Sequence, residues 1–186
     1  MPAPNPLEAA RALVIGVAAY ADVRIRPLPA SVLNDVSDVA TVLRDPVRGS
    51  FPPGSVKTLV DAEATRAAIL DGLAWLAEGA TSTRVLYFSG HGVRDTSPGA
   101  GGNLLPFDAD LTNLTDTGIS ADVLTKCLRG VSAQRLLVLL DACHSAGAAE
   151  PKSAGGLLVQ PGLRATDLEG LARGEGRVIV AACAEH

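Results

Sequence analysis

The chain has 186 residues, 47% of them apolar, which is enough for one domain with a sizeable core and short for two. Its net charge of −4 and pI near 5.3 argue against a general nucleic-acid binder, which would carry a basic surface. Its three cysteines are too few and too scattered for a disulfide framework, and its apolar runs, at most about eight residues, are too short to span a membrane.

The first half of the chain alternates apolar runs with amphipathic stretches. Residues 12–17 form a nearly unbroken apolar run that predicts a strand buried on both faces. Residues 32–43 carry apolar side chains at helical spacing, and residues 56–60 predict a second strand. A helix is predicted over 66–76, begun by the capping hydroxyl of the preceding threonine, and residues 84–88 predict a third strand.

The second half begins with residues 93–102, whose Gly, Ser, Pro and Asp content predicts a loop. A serine can cap the helix predicted over 120–128, and residues 135–140 form the most apolar strand. Residues 146–176 are small, polar and Gly-rich. This stretch is long for a connection inside a compact domain, so it predicts a flexible or processing linker. Residues 177–182 predict a fifth strand.

The alternation of strands and helices predicts an α/β fold, with a mostly parallel central sheet and helices on both faces. We assign residues 1–10 to an N-terminal extension and residues 11–186 to one domain. Ligands of such sheets bind beyond the carboxyl ends of the strands. His91 follows the third strand between two glycines, and Cys143 follows the fourth strand. Both are therefore predicted to lie at the same edge of the sheet.

A histidine and a cysteine at one sheet edge are suited to nucleophilic catalysis. A reactive thiolate needs a nearby base and an electropositive setting, which His91 would supply to Cys143. Each residue alone has a plainer interpretation, as a surface histidine in a turn and as a buried, inert cysteine. His144 is less favoured as the base because neighbouring residues at a strand end point in different directions.

These two motifs resemble the His and Cys motifs of caspase-like and metacaspase-type cysteine peptidases. His91 lies 52 positions before Cys143, close to the ~50-residue spacing of caspases. The resemblance covers roughly residues 11–145 and 177–185, and rests on Tyr87 to Gly92, Leu140 to Ser145, Leu28-Pro29, Val32 to Val36 and Ala64 to Leu70. Asp141 and His144-Ser145 stand where true caspases carry Gln and Arg-Gly, which matches the metacaspase-type form.

The resemblance implies a three-layer caspase-like sandwich and a cysteine endopeptidase that uses a Cys–His dyad. Cys143 would be the nucleophile and His91 the general acid and base, without an acidic third member. The oxyanion would be held by the backbone N–H groups of Gly92 and Cys143. The alternative is a catalytically inactive caspase-like interaction module in a signalling or defence protein.

The resemblance also implies an acidic substrate pocket that prefers Arg or Lys at P1, because carboxylates bind guanidinium and ammonium groups. The positions concerned are Asp35, Ser89, Asp141 and Glu185. No cofactor is expected. Calcium is the less favoured alternative, since the positions resembling the family's ion ligands hold Asp108, Ala121, Asp122 and Glu150, and Ala121 has no side-chain ligand.

The resemblance further implies that the fold continues beyond the fifth strand, so the chain is interpreted as a processed fragment or part of a longer protein. Self-cleavage is expected after Arg164, Arg173 or Arg177. The expected partners are a peptide or protein substrate, a remaining C-terminal fragment, and sensor or effector modules, but neither nucleic acid nor membrane. With no signal-peptide pattern at the N-terminus, we expect a cytoplasmic protein.

A third hypothesis is a flavodoxin-like nucleotide or signalling domain, since five parallel strands with helices would look the same at the level of fold. The sequence offers it little support. Gly16 follows the first strand, but no Gly-rich phosphate-binding pattern comes after it.

Overall fold

The computed structural model describes residues 7–94, 101–142, 160–161, 169, 171–173 and 176–182. Its helices and strands follow one another in an order typical of α/β proteins. They are β1 (Arg11–Gly16), α1 (Ser31–Arg44), β2 (Val56–Val60), α2 (Arg66–Ala77), β3 (Ser82–Ser89), β4 (Gly92–Arg94), β5 (Gly102–Leu104), α3 (Leu114–Thr117), β6 (Ile119–Ser120), α4 (Ala121–Arg129), β7 (Ala133–Asp141), β8 (Gln160–Pro161) and β9 (Arg177–Ala181).

The main sheet contains the five strands that the sequence predicts. They run in the order β2-β1-β3-β7-β9, and every pairing between neighbours is parallel. Parallel neighbours cannot be joined by a tight hairpin, so the connections cross over the faces of the sheet, and helices occupy them. The predicted α/β architecture with a mostly parallel central sheet is confirmed.

Helices cover both faces of this sheet because its strands are apolar on both sides. Leu13 and Ile15 of β1 belong to a core shared with α2 and α4. Ala12 and Val14, at the alternate positions, belong to a second core shared with α1. Side chains in a strand alternate between faces, so β1 serves both cores and the protein has three layers. In the part of the chain described, no helix has the length and apolar character needed to cross a membrane.

The helix boundaries follow from local signals in the sequence. Thr65 Oγ1 accepts a hydrogen bond from the N–H of Ala68 at 3.2 Å, and so caps α2. Ser120 Oγ accepts from the N–H of Val123 at 3.2 Å and caps α4. Helix α1 ends at Arg44, directly before an Asp-Pro pair that cannot continue it. All three predicted helices are confirmed, with ends shifted by one residue.

Gly16, at the end of β1, has a packing role. A Cβ atom at this position would lie 2.5 Å from Cγ2 of Val36, nearer than atoms can approach. The glycine therefore lets β1 and α1 pack in close contact, which accounts for it without a phosphate ligand.

A second, antiparallel sheet corrects the predicted loop and adds a strand within the predicted linker. Its order is β6-β5-β4-β8. The predicted loop at 93–102 is wrong at its ends, because β4 and β5 pair there as the arms of a hairpin. The predicted linker at 146–176 contains β8, which pairs with β4, and helical residues at 169, 171 and 172. Strands of two or three residues are too short to show a hydrophobic period, so pairing with neighbours decides them.

Trp75, the only tryptophan in the sequence, has two cations close to its ring. Cζ of Arg11 is 4.9 Å from the centre of its ring, and Nζ of Lys57 is 4.2 Å away. These residues come from the beginnings of β1 and β2. The ring is thus held by cation–π contacts at the amino ends of β1 and β2.

Arg84, near the beginning of β3, is a buried cation held by backbone oxygens. It is fully inaccessible to solvent. Its guanidinium donates to carbonyl oxygens at the end of α2, in the turn after it and in the segment before β1. The acceptors are Leu76 and Ala80 at 2.8 Å, Glu78 at 3.0 Å, Ala9 at 2.8 Å and Thr83 at 3.2 Å. One side chain therefore satisfies the carbonyls where three segments meet.

Replacing Arg84 with methionine should destabilise the protein strongly. The substitution keeps an apolar stem and leaves five carbonyls without their donor, so we expect the free energy of unfolding to fall by about 3 kcal/mol or more. Arg84→Lys should lose less, because an ammonium group has three donors. Urea unfolding measures both effects.

Arg135→Met is the matched control, because Arg135 is an exposed arginine on the neighbouring strand β7. Its unfolding free energy should change by less than about 0.5 kcal/mol. Equal effects at positions 84 and 135 would show that the carbonyl contacts of Arg84 contribute nothing particular.

Candidate active site

The carboxyl ends of β3 and β7 bring the two sequence motifs to one edge of the sheet. Ser89 and Asp141 are register partners at the ends of these strands, and the N–H of Gly90 donates to the carbonyl of Asp141 at 3.2 Å. His91 follows Ser89 by two residues, and Cys143 follows Asp141 by two residues. Cys143 itself lies outside the described residues.

His91 is buried, with 3% of its surface exposed. Its Nε2 lies 2.7 Å from the carbonyl oxygen of Arg26. A carbonyl only accepts hydrogen bonds, so Nε2 must carry the proton and Nδ1 must carry the lone pair. Among the described residues, Nδ1 has no hydrogen-bond partner. The ring therefore offers one buried, basic nitrogen.

Burial lowers the pKa of His91 below its ordinary value, and the hydrogen bond that its Nε2 donates to the Arg26 carbonyl opposes this shift in part. A charged imidazolium is disfavoured where water is excluded. His91 is consequently neutral at physiological pH, which is the state required of a base.

Tyr20 holds the backbone of His91. Its hydroxyl accepts a hydrogen bond from the N–H of His91 at 2.8 Å and donates to the carbonyl of Val17 at 3.1 Å. The two rings are 5.3 Å apart between centroids. Burial raises the pKa of Tyr20, so the phenol keeps its proton.

Sequence reasoning missed both Tyr20 and the carbonyl of Arg26. They belong to the loop after β1, and the rule that ligands lie beyond the carboxyl ends of strands could have drawn attention to that loop. A backbone carbonyl leaves no signature in a sequence, so nothing could have singled out Arg26.

Two of the four predicted substrate-pocket residues, Ser89 and Asp141, are in contact, and a third, Asp35, acts electrostatically on the neighbouring Tyr87. Ser89 Oγ donates to Oδ2 of Asp141 at 3.3 Å. Tyr87 lies beside this pair. Its pKa is raised, first by burial and then by the negative charges of Asp35 and Asp141, while a hydrogen bond with Ser89 opposes the shift. Asp35 and Asp141 are exposed, so this acidic group is open to solvent.

The remaining predicted residues are placed separately. Gly92 is the first residue of β4 and pairs with Leu104. Glu185 and His144 lie outside the described residues. Within the described ranges, neither ring nitrogen of His91 is hydrogen-bonded to the acidic group, and the contacts of the ring are with the loop after β1.

Two of the positions considered for calcium have other contacts in the fold. Asp108 Oδ1 accepts the N–H of Arg66 at 2.7 Å, at the beginning of α2. Ala121 is buried in the core, and Glu150 is outside the described residues. The described part of the chain contains no group of three or more His, Cys, Asp or Glu that could hold a metal ion.

Comparison with known proteins agrees with this geometry. The model of the Caspase domain family matches residues 9–182, a range that includes both motifs. The chain belongs to the caspase-domain family. This membership supports a caspase-like peptidase and confirms the family resemblance.

The caspase-like fold also has a solved neighbour. Protein GSU0716 from Geobacter sulfurreducens is 24% identical, with a TM-score of 0.57 over 73% of this chain and 51% of that chain. At this identity the likeness concerns the fold alone, and this chain spans about half the length of that protein. A search of curated proteins found no significant match.

The lowered pKa of His91 predicts a pH-dependent contribution to stability. The unfolded chain, with a histidine pKa of about 6.5, binds a proton more readily than the folded protein. The contribution is therefore complete above that value and is lost as the pH falls. We expect the stability advantage of wild type over His91→Gln to shrink between about pH 7.5 and pH 5, by about 1.4 kcal/mol for each unit of pKa difference.

Urea unfolding of both proteins across this range measures the effect. The other two histidines are common to both proteins, so their titration cancels in the comparison. An advantage that stays constant, or grows, toward acid pH would contradict the burial of a neutral His91.

Proposed function

We propose that this caspase-family chain is a cysteine endopeptidase in which Cys143 is the nucleophile and His91 is the general base and acid. The observation that carries the proposal is the state of His91: buried and neutral, with Nε2 bound to a carbonyl and Nδ1 left basic. Membership of the caspase-domain family supports the same chemistry.

The catalytic cycle begins with proton transfer from the thiol of Cys143 to Nδ1 of His91. The thiolate attacks the carbonyl carbon of the scissile peptide and forms a tetrahedral intermediate. As the C–N bond breaks, His91 returns the proton to the leaving amine. It then accepts a proton from water, which attacks the thioester and releases the acid and the thiolate; His91 returns this proton to the sulfur and restores the free thiol.

The bond from Nε2 to the Arg26 carbonyl serves this cycle by fixing the tautomer. If the proton sat on Nδ1, His91 could not accept the thiol proton there. For the oxyanion we propose the backbone N–H groups of Gly92 and Cys143, since donors aimed at the developing charge lower the barrier substantially.

For specificity we propose that the enzyme cleaves after Arg or Lys. Two observations support this proposal: Ser89 is hydrogen-bonded to Asp141, and the negative charges of Asp35 and Asp141 both act on Tyr87. A guanidinium would gain charge-assisted hydrogen bonds from such a group, whereas an aspartate at P1 would be repelled.

The proposed substrate is a peptide or protein. Self-cleavage after one of the chain's own arginines is part of the same proposal. Arg173 is exposed and lies between the helical residues and β9. Arg177 is half-buried as the first residue of β9 and pairs with Leu136. A segment must leave its fold to enter a protease, so Arg173 is the better site of self-cleavage. Arg164 lies outside the described residues.

Fluorogenic peptides ending in Arg, Lys or Asp test the proposal directly. Wild type should cleave after Arg and Lys, while Cys143→Ala and His91→Gln should each lose at least about 10³-fold in kcat/KM, because the dyad acts as a unit. Calcium is included and omitted in parallel. The intact masses of wild type and Cys143→Ala report self-cleavage in the same samples.

Circular dichroism of each variant serves as the control for folding. Activity that survives Cys143→Ala would exclude the assigned nucleophile. A folded wild-type protein that cleaves none of the peptides would instead favour the inactive interaction module.

The pocket is tested separately with Asp141→Asn, which keeps an oxygen acceptor for Ser89 and removes the charge. The kcat/KM for Arg and Lys substrates should fall about 10- to 100-fold, as expected for one charge-assisted hydrogen bond.

Asp38→Asn is the matched control, since Asp38 is an exposed aspartate one turn after Asp35 on the same helix. It should leave kcat/KM within about two-fold of wild type, because exposed charges at a distance contribute little. Equal losses at positions 141 and 38 would point to a general field rather than a pocket.

A further inference from the structure

The carbonyl that orients His91 belongs to a segment without helix or strand. This segment, residues 18–28, is named here the β1 loop. The carbonyl of Arg26 within it lies 2.7 Å from Nε2 of His91. The position of that carbonyl therefore depends on whatever holds the β1 loop.

An ionic network of Asp22, Arg24 and Asp110 contacts the β1 loop. Arg24 binds Asp22 through two parallel bonds, from Nε to Oδ1 at 2.8 Å and from Nη2 to Oδ2 at 2.6 Å. The same Nη2 donates to Oδ1 of Asp110 at 2.7 Å, 86 positions along the chain. Oδ2 of Asp22 also accepts the N–H of Leu111 at 3.3 Å. The network thus joins the β1 loop to the segment around residue 110.

The second segment, residues 105–113, holds His91 from its other side. The N–H of Leu105 donates to the carbonyl of His91 at 2.9 Å. The N–H of Ala21 donates to the carbonyl of Phe107 at 2.9 Å, between the two segments. The β1 loop therefore binds the ring of His91 through Arg26 and its N–H through Tyr20, while the second segment binds its carbonyl. The ionic network is a side-chain link between the two segments.

Isolated surface ion pairs contribute little, but this network differs from them in geometry. The Arg24–Asp22 pair is bidentate, and the side chain of Asp22 is only 9% exposed. The hydrogen bond from Arg24 is the largest cause of the lowered pKa of Asp22. Planar, two-point contacts fix direction as well as distance.

The neighbouring Ile25 supplies a different kind of anchor. It is buried with Val93, Leu105 and Leu111 in a small core. Apolar contacts attract without fixing orientation. They would keep the β1 loop close to residues 105–113 but would not aim the next carbonyl at a ring nitrogen.

We propose that Asp22, Arg24 and Asp110 are positioning residues that hold the Arg26 carbonyl against His91 and thereby keep Nε2 protonated and Nδ1 basic. The catalytic consequence rests on the proposed peptidase function. The effect on the tautomer of His91 does not.

The test is nitrogen-15 NMR of histidine-labelled protein at a pH above the imidazole titration, with His91 assigned from the spectrum of His91→Gln. Wild type should show a single Nε2–H tautomer for His91. Arg24→Gln should show a mixture of both tautomers, with intermediate shifts for the two nitrogens. Arg48→Gln is the control, because Arg48 forms an exposed pair with Asp45, and it should match wild type.

Kinetics supply the second measurement. Arg24→Gln should lower kcat about 10- to 100-fold with KM changed less than about two-fold, because a misplaced catalytic group slows the chemistry rather than binding. Arg24→Lys keeps the charge without the two-point contact, so its kcat should lie between those of wild type and Arg24→Gln. If wild type proves inactive, the tautomer measurement alone decides the proposal.

A single Nε2–H tautomer in folded Arg24→Gln would overturn the proposal and reduce the network to a surface contact. If that variant does not fold, Asp110→Asn takes its place, since an amide keeps an oxygen acceptor for Thr112 while removing the charge. The same two spectra then support the proposal or overturn it.

Discussion

The pairing of β3 with β7 is the constraint on which the rest of the site depends. Eight register pairs join these strands, and the last joins Ser89 to Asp141. The chain leaves the main sheet directly after each of these residues. The His91 and Cys143 motifs, 52 positions apart in the sequence, therefore begin side by side. A slip of one residue in this pairing would turn the side chains of β7 to the opposite faces. The continuous apolar core on both sides of the strands prevents such a slip.

His91 meets two opposing demands through its surroundings. A base must be neutral before reaction and must tolerate a proton afterwards. Burial serves the first demand by disfavouring charge, and the Arg26 carbonyl serves the second by accepting a bond from the ring. A carboxylate in place of that carbonyl would stabilise the imidazolium further and raise the pKa. A carbonyl orients the ring without adding a charge, which suits the proposed dyad of His91 and Cys143.

The central strands and three helices were predictable because each carries a long periodic pattern or a capping side chain, such as Thr65 and Ser120. The small antiparallel sheet was not, because a strand like Gly92–Arg94 is decided by its partners rather than by its own residues. Within the site, His91 was predicted from its motif. The carbonyl of Arg26 and the hydroxyl of Tyr20 act through tertiary contacts, which no local pattern encodes.

Trp75 lies at the end of the sheet opposite the site. Its cationic neighbours Arg11 and Lys57 begin the strands whose carboxyl ends lead to the catalytic edge. A strand of six residues separates the two ends by about 20 Å. As the single tryptophan, it makes the intrinsic fluorescence of the protein a reporter of the distal end. A peptide bound at the catalytic edge would not touch the indole, so any change in emission would reveal a rearrangement transmitted through the sheet.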